Sequence, residues 1–475
     1  MDDHGANEQT SENPTLECAL GRAWTDERAW TLLTNLTELP HRMGGSSGER
    51  RAAESVQAAL EEAGVTDVQV DEFPMQYWER GSTALTVLGG DGSETANSTA
   101  DGTDTARLER EFDAIALPYS PDARVEGPLV DVGYGTPEEI AAADLQDAIA
   151  VASTTTPPEQ RFVHRMEKFG HALEAGATAF LFANHVPGQL PPTGALTFNA
   201  EAAAPGVGVS AETHDWLTTY AERGTRARIR VDAETTAGSS QNVHGTVGPD
   251  TDEEVLVVAH YDGHDISEAA LDNGCGIATV VAASAILESI ADDLACQVRI
   301  AGVGCEEIGL LGAEALADRA DLESVRAVVN VDGAGRFRNL RALSHGSEAL
   351  ADLADDVASD AGQPIGHDPD PHPFSDHWPF LRAGVPSLQL HSEPPEGHER
   401  GRGWGHTTAD TRDKVDPRNL REHALMTALL VRVLTRAEIP RIDDQELRTQ
   451  LREQDYEPGM RAADIWPAAW ESNDE

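Results

Sequence analysis

Residues 296–312 read "CQVRIAGVGCEEIGLLG", an apolar stretch that runs into two adjacent glutamates and then into a glycine-containing segment. The apolar part predicts a buried strand, and the segment after Glu306 and Glu307 predicts the start of a helix. Carboxylates at the end of a buried strand lose hydration, which is unfavourable unless a cation or hydrogen-bond donors compensate. The glutamate pair therefore predicts a site whose other members come from elsewhere in the chain.

Strands and helices alternate around this stretch. Further strands are predicted at 253–262, 326–335 and 385–391, and helices at 274–290, 309–320 and from about residue 418. This order predicts an α/β fold with a mixed, largely parallel sheet and helices on both faces. In such sheets, sites form at the carboxyl ends of the strands.

Polar residues occupy those predicted strand ends. His260 and Asp262 end one strand, Asp332 ends another, Asp272 opens a helix, and His406 lies in the loop "GRGWGHTTADT". Nitrogen and oxygen ligands that converge in this way suit a dinuclear zinc site, with a carboxylate shared by the two ions. Taken singly, each motif has a simpler explanation: "HYD" could be an ordinary strand-end cluster, and "EE" a salt-bridged helix start.

The spacing suggests a division of roles. Residues two apart on a strand point to the same side, so Asp262 can accept a proton from the second nitrogen of His260 and orient the ring. Adjacent residues diverge, so Glu306 and Glu307 cannot do the same job. One could bind metal while the other accepts a proton from a water held between the ions and passes it to the leaving amine.

The charge balance is strongly acidic. The chain has 83 aspartate and glutamate residues against 35 lysine and arginine residues, a formal net charge of −48, and its only lysines are Lys168 and Lys414. Such a charge repels nucleic acid and anionic membranes, so we expect neither as a partner. A solvated surface suited to molar salt, as in halophilic proteins, is the simplest explanation.

The four cysteines show no CxxC pair, which argues against a disulfide scaffold. The N-terminal residues have neither a basic nor an apolar region of the kind found in signal peptides. No apolar run approaches the roughly 18 residues that span a bilayer. We therefore expect a cytoplasmic location.

Five motifs, in order, resemble the M28 family of zinc metallopeptidases. They are "NVHGTVG…VVAHYDGHDISEAALDNGCG", "GCEEIGLLGAE", "VVNVDGAG", "SDHWPFLRAGVPSLQL" and "GHTTADTRDKVDP". The resemblance covers roughly 240–437, and "MGGSSGERRAAESVQAALEEAG" (43–64) looks like the usual N-terminal helix of the family. Residues 112–235 look like the protease-associated (PA) domain that many members carry as an insertion.

The resemblance implies specific roles. One zinc ion would be bound by His260, Asp332 and the bridging Asp272, and the second by Asp272, Glu307 and His406. Glu306 would be the general base and Asp262 would orient His260. The family often has a cis peptide after the bridging aspartate, here Asp272–Asn273.

It also implies a domain organisation. We expect a disordered N-terminal segment (1–22), a peptidase domain in two parts (23–88 and 236–440), a linker or exposed loop (89–111), a smaller β-rich α/β PA-like insertion (112–235) and a C-terminal extension (441–475). The PA-like part carries no metal-binding motif, and it could affect substrate access or oligomer contacts or have no catalytic effect.

For several other residues near the motifs, the sequence predicts burial or a location but no catalytic role. Cys275 and Cys305 are expected to be small buried residues, and the "SDH" residues Asp376 and His377 to form a pocket wall or an orienting network. Four more histidines are expected in loops or at the surface, namely His264, His372, His391 and His398.

The predicted function is that of a dinuclear zinc exopeptidase, and the favoured hypothesis is an aminopeptidase. The cofactors would be two Zn²⁺ ions, although Co²⁺ or Mn²⁺ could occupy the same ligands. The partners would be peptide substrates, and no oligomeric state is predicted. Alternatives are a carboxypeptidase or a one-zinc glutaminyl cyclase of the same fold, a non-catalytic binding protein, and a cysteine hydrolase built on Cys305.

Overall fold

The computed structural model of the chain describes residues 14–88, 109–395, 397 and 403–471. Its helices are α1 (Pro14–Ala23), α2 (Arg28–Thr37), α3 (Ser47–Glu62), α4 (Pro137–Ala142), α5 (Arg165–Glu174), α6 (Ala211–Glu222), α7 (Cys275–Ser289), α8 (Leu311–Arg319), α9 (Glu348–Ala361), α10 (Trp378–Leu381), α11 (Pro417–Leu434), α12 (Asp444–Glu453), α13 (Tyr456–Ala462) and α14 (Ala468–Glu471). A π-helical turn, Ala270–Gly274, leads into α7, and short 3-10 turns lie at Ala291–Asp293 and Arg412–Lys414.

The strands are β1 (Thr66–Leu88), β2 (Glu109–Phe112), β3 (Ile115–Ala116), β4 (Ala123–Asp131), β5 (Ile149–Ser153), β6 (Ala179–Ala183), β7 (Gly206–Val209), β8 (Arg226–Val247), β9 (Glu254–His260), β10 (Gln297–Val303), β11 (Val325–Val331), β12 (Leu340–Leu343), β13 (Ile365–Asp368) and β14 (Ser387–Ser392). They form one 14-stranded sheet across the described residues: twelve strands follow one continuous path, and β1, with β2 beside it, pairs with β8 outside that path.

The main part of the sheet has the order β13-β12-β14-β11-β9-β10-β8. The neighbours β10, β9, β11 and β14 run parallel to one another, and β12 and β13 are also parallel as a pair. The strands β12 and β8 pair in antiparallel fashion with β14 and β10. The predicted mixed, largely parallel sheet with flanking helices is therefore confirmed.

The main core lies on one face of this sheet, where α2, α3, α7, α9 and α11 bury their apolar sides. A smaller cluster under α8 and α10 covers the other face. The combined segment Ala270–Ser289 is long and apolar enough to cross a membrane by length and composition, which differs from the expectation that no run approaches that length. Since 83% of its 18-residue apolar window is buried in the protein, its apolar character has an explanation in core packing.

The inserted part forms its own layer of parallel strands, β4-β5-β6-β7, with β3 antiparallel at the edge. Strand β8 joins it to the main sheet: its first six residues (226–231) pair with β4, and its last residues pair with β10. Strand β1 pairs with β8 along nearly its whole length, from Thr66↔Thr246 to Leu88↔Arg226. The predicted boundary between 235 and 236 therefore falls inside one unbroken strand.

The structure departs from the predicted segments in two places. Residues 1–13 and 89–108 lie outside the described residues, but the rest of the segment predicted to be disordered belongs to α1, where Ala19 is buried against the main core. Residues 109–111 of the predicted linker are part of β2, which pairs with β1. The C-terminal extension is helical, and its helices α12, α13 and α14 bury a cluster around Trp466 and Trp470.

Candidate metal centre

The site lies where three neighbouring parallel strands end. Strand β9 ends at His260, β10 ends three residues before Glu306, and β11 ends directly before Asp332. Because β10, β9 and β11 are adjacent and parallel, their carboxyl ends meet at one edge of the sheet. The remaining members of the site come from the π-helical turn and from the loop before α11.

One group of potential ligands consists of His260, Asp272 and Asp332. The Nε2 atom of His260 lies 3.4 Å from Oδ1 of Asp272 and 3.8 Å from Oδ1 of Asp332. One ligand atom from each of the three residues lies within 4.8 Å of the others. The structure thus brings together the three residues that the resemblance assigns to one zinc ion.

The second predicted set is also brought together. The Nε2 atom of His406 lies 2.9 Å from Oε2 of Glu307 and 3.2 Å from Oδ2 of Asp272. Asp272 therefore has one carboxylate oxygen facing His260 and the other facing His406. This is the position that a bridging ligand requires.

Asp262 supports both halves of the site. Its Oδ1 lies 3.3 Å from Nδ1 of His260, on the side of the ring away from Asp272. The same carboxylate accepts hydrogen bonds from the backbone N–H groups of Glu306, at 3.1 Å, and Glu307, at 3.3 Å. Asp262 therefore lies beside the His260 ring and holds the backbone of the glutamate pair.

The two glutamates have opposite electrostatic environments. Burial raises the pKa of Glu306 well above its usual range, and the nearby His260 opposes this rise only in part. Burial also acts to raise the pKa of Glu307, but His264 and His406 hold it well below its usual range. Glu307 is thus kept ionised next to two imidazoles, while Glu306 has a high affinity for a proton.

The loop that carries Asp272 is held from two sides. Asp410 accepts hydrogen bonds from the backbone N–H groups of Leu271, at 2.6 Å, and Asp272, at 3.1 Å. The buried guanidinium of Arg42 donates to the carbonyls of Tyr261, Glu268 and Ala269. The Asp272–Asn273 peptide is cis, as the resemblance implied.

The inserted domain reaches the site through Thr193. Its carbonyl oxygen lies 3.2 Å from Nδ1 of His406, and its N–H donates to the carbonyl of His406 at 2.8 Å. An Nδ1–H bond to this carbonyl leaves Nε2 of His406 unprotonated toward Asp272 and Glu307. A small cleft beside His406 is also lined by Phe162, His164 and Phe182.

His264 is the main residue that the sequence reasoning missed. It was expected in a loop or at the surface, yet its side chain is only 2% exposed and its Nε2 lies 3.0 Å from Oε2 of Glu307. The alternation His260, Asp262, His264 was a usable signal, because residues two apart on an extended segment share a side. The loop position of His264 is as expected, but its side chain is buried because the loop after β9 stays against the site and does not turn outward.

Two further supporting residues were also missed. The hydroxyl of Ser375 donates to Oδ2 of Asp332 at 2.7 Å and accepts from Asn330 at 2.8 Å. Glu49 at the start of α3 accepts from the N–H of Cys305 at 3.1 Å, directly before the glutamate pair. Both residues lie in stretches that carry the family resemblance, but their partners are distant in sequence, so these contacts could not be predicted.

The other cysteines and histidines near the motifs are mostly buried or half-buried. Cys275 and Cys305 are buried and unpaired, as expected, and burial raises the pKa of both thiols well above the usual range. Asp376 and His377 are fully buried; burial raises the pKa of the Asp376 carboxyl, and Asp332 and Glu307 lie near enough to add to the rise. His372 and His391 are half-buried, and His398 lies outside the described residues.

The donor set fits a pair of borderline metal ions such as zinc. Histidine nitrogens and carboxylate oxygens are the usual ligands of catalytic zinc in proteins. Burial disfavours a charge on His260. The nearby Glu306 and the hydrogen-bonding carboxylates nevertheless raise the pKa of His260 well above the usual range. The site therefore favours positive charge between its carboxylates, whether a proton or a metal ion.

Fold and site together define an α/β hydrolytic enzyme with a candidate metal centre at the strand ends. Residues 242–431 match the sequence model of peptidase family M28, and residues 125–217 match the model of the PA domain. The chain therefore carries a domain of peptidase family M28, preceded by a PA domain, and is a peptidase.

Among curated proteins, the chain is similar to the probable lipoprotein aminopeptidase LpqL of Mycobacterium tuberculosis. The two are 25% identical over 418 residues, which cover 78% of this chain and 76% of the relative. That relative is named as a lipoprotein, which does not support a cytoplasmic location. The cytoplasmic location expected for this chain therefore stays a prediction.

Solved structures share the fold. The M28 peptidase precursor of Shewanella amazonensis SB2B has a TM-score of 0.71 at 21% identity and covers 90% of this chain and 98% of its own. The aminopeptidase of Aneurinibacillus sp. strain AM-1 has a TM-score of 0.64 at 22% identity, with coverages of 87% and 94%. The zinc aminopeptidase BSAP of Bacillus subtilis has a TM-score of 0.63 at 24% identity, with coverages of 85% and 94%.

Proposed function

We propose that the chain is a dinuclear zinc aminopeptidase that releases N-terminal residues from peptides. The observation that carries this proposal is the placement of Asp272, whose two carboxylate oxygens face His260 at 3.4 Å and His406 at 3.2 Å. A carboxylate between two histidines is what two neighbouring metal ions would share. Similarity to proteins named as aminopeptidases supports the choice of activity.

The proposed ligands divide into two positions with Asp272 in common. His260 and Asp332 would complete one position, and Glu307 and His406 the other. Zinc ions there would polarise the peptide carbonyl and lower the pKa of a water molecule. Asp262 would keep Nε2 of His260 directed toward the metal position by holding Nδ1.

Glu306 is the proposed proton carrier. It is held at the site by the bond from its backbone N–H to Asp262, and its raised pKa gives the carboxylate a high affinity for a proton. Such a group can take a proton from the attacking water and donate it to the amine that leaves. Glu307 cannot replace it, because its carboxylate is occupied by His264 and His406.

The experiment offers one peptide in two forms, with a free and with an acetylated N-terminus, to zinc-loaded protein in molar KCl. Product masses should show stepwise loss of N-terminal residues from the free peptide alone. Trimming of both forms from the C-terminus would reassign the chain as a carboxypeptidase on the same site. Cleavage of neither form would contradict the proposed exopeptidase activity and favour a binding role.

Glu306→Gln tests the proton carrier in the same assay. The amide cannot accept the proton, so kcat should fall by about 10²–10⁴-fold, the usual contribution of a general base. Zinc content should stay unchanged, since Glu306 is not a proposed ligand. Glu314→Gln, on α8 and paired with Arg382, is the matched control and should retain activity. A Glu306→Gln enzyme with unchanged kcat would exclude this role.

A further inference from the structure

His264 occupies an unusual place for a residue that no motif singles out. It lies in the loop after β9, two residues beyond Asp262, and only 2% of its surface is exposed. Its ring meets the ring of His406 edge-on, with centroids 4.6 Å apart and planes at 82°. The two imidazoles therefore approach Glu307 from different directions.

Both imidazoles direct a nitrogen at the same carboxylate oxygen. Oε2 of Glu307 lies 3.0 Å from Nε2 of His264 and 2.9 Å from Nε2 of His406. Suitable ligand atoms of the three residues lie within 4.8 Å of one another, and all three side chains are buried. Around a tetrahedral zinc ion with bonds of about 2.0–2.1 Å, neighbouring ligand atoms lie roughly 3.3 Å apart, close to these separations.

A simple histidine–glutamate hydrogen bond explains this arrangement less well. Among the described residues, neither Nδ1 nor Nε2 of His264 has a hydrogen-bond partner of acceptable geometry. Leaving a buried polar atom without a hydrogen-bond partner is unfavourable. An ion placed between the three side chains would use the Nε2 lone pair, which a neutral imidazole offers to a metal.

We propose that His264 is a metal ligand at the position formed by Glu307 and His406. The inference rests on the proposed dinuclear site and adds to its ligand set. One position would then have one histidine and the carboxylates Asp272 and Asp332, whereas the other would have two histidines, Glu307 and the shared Asp272.

The two positions should therefore differ in metal preference. Two histidines and a glutamate form a ligand set used by single-zinc peptidases, so the position of His264 should bind zinc more tightly than its neighbour. The carboxylate-rich position of His260 should accept Mn²⁺ more readily, because oxygen ligands suit that ion. Zinc removal by a competing chelator should then proceed in two separate steps.

The direct test counts histidine ligands in the unmodified protein. Chain labelled with ¹⁵N-histidine is loaded with two equivalents of Co²⁺, and the exchangeable imidazole N–H signals with large paramagnetic shifts are counted by NMR. We expect three, from His260, His264 and His406. Two such signals with two bound cobalt ions would overturn the inference for His264 and leave the proposed function intact. A chain that binds no cobalt would instead contradict the metal centre itself.

The variant His264→Gln gives a second readout. It keeps a polar side chain of similar length but removes the imidazole, and its cobalt spectrum should show two shifted N–H signals. Its affinity for the tighter zinc ion should fall by more than 100-fold, beyond the roughly 10–100-fold that loss of a supporting residue causes. His367→Gln, on β13 and bonded to exposed Asp355, is the matched control and should leave affinity and spectrum unchanged.

An affinity loss below 10-fold in His264→Gln, with the cobalt spectrum of the wild type, would mean that His264 only supports Glu307. If the variant does not fold, the count of shifted signals in the unmodified protein still decides between the two roles.

Discussion

At the scale of single residues, the Asp262 carboxylate organises much of the centre. It faces Nδ1 of His260 and accepts the backbone N–H groups of Glu306 and Glu307. The second contact depends on the left-handed backbone of Cys305, with φ of 57°, which turns the chain so that both N–H groups point at one carboxylate. One buried side chain thereby positions a proposed metal ligand and the proposed proton carrier together.

Lys168 provides a residue-level test far from the metal centre. Its ammonium group donates to the carbonyls of Ser153 and Thr155, and burial lowers its pKa from 10.5 to about 7. Between these values the unfolded chain binds more protons than the folded one. Stability should therefore rise with pH across that window, by at most about 1.4 kcal/mol per pH unit, and be lower below it.

Urea unfolding at several pH values within the window measures this effect. Lys168→Met should flatten the rise, whereas Lys414→Met, which changes the only other lysine, should keep it. Equal pH slopes for Lys168→Met and the wild type would show that Lys168 does not titrate in this way.

Much of the site could be predicted from the sequence because each strand end is marked by a polar residue after an apolar run. His260, Asp272, Glu307, Asp332 and His406 are brought together by the fold, and their roles as ligands remain a proposal. The contacts of His264 could not be predicted, since they depend on how the loop after β9 folds back. The contact between Thr193 and His406 could not be predicted for another reason. It is made by backbone atoms of Thr193, and the identity of a side chain does not indicate such a contact.

At the scale of elements, the docking of α13 on α5 holds the C-terminal extension to the PA domain. A Cβ atom at Gly170 of α5 would overlap the carbonyl oxygen of Ala462, so the close approach requires glycine. Gly170→Ala should therefore lower the free energy of unfolding by about 1–3 kcal/mol through overpacking.

Gly21 of α1 is the matched control, because a Cβ there meets no atom within 4 Å. Gly21→Ala should raise the free energy of unfolding by about 0.5–1 kcal/mol, since alanine is the better helix former. Chemical denaturation of both variants checks the opposite signs. A Gly170→Ala protein as stable as the wild type would mean that α5 and α13 do not pack this closely.

The alternation of strands and helices predicted β9, β10 and β11 and their parallel order. It could not predict that β12 pairs with β14 in antiparallel fashion, because a strand of only four residues carries no pattern that sets its direction. Nor did it show that β1 and β8 run through both domains. The composition of residues 89–111 predicts a loop. Residues 109–111 nevertheless belong to strand β2, because they pair with β1, which is distant in sequence.

At the scale of the whole molecule, the net charge of −48 should make stability depend on salt. Going from 0.1 M to 1 M KCl shortens the Debye length from about 10 Å to about 3 Å and screens repulsion between surface carboxylates. The midpoint of thermal unfolding should therefore rise with KCl. Sucrose at equal osmolarity is the control, and an equal rise in sucrose would show that screening is not the cause.

Anomalous X-ray scattering at the zinc edge, from crystals of the zinc-loaded chain, tests whether two metal ions share Asp272. If they do, two peaks should lie about 3.5–4 Å apart on either side of Asp272, one next to His260 and Asp332 and the other next to Glu307 and His406. A single peak, or peaks away from these residues, would contradict the dinuclear site.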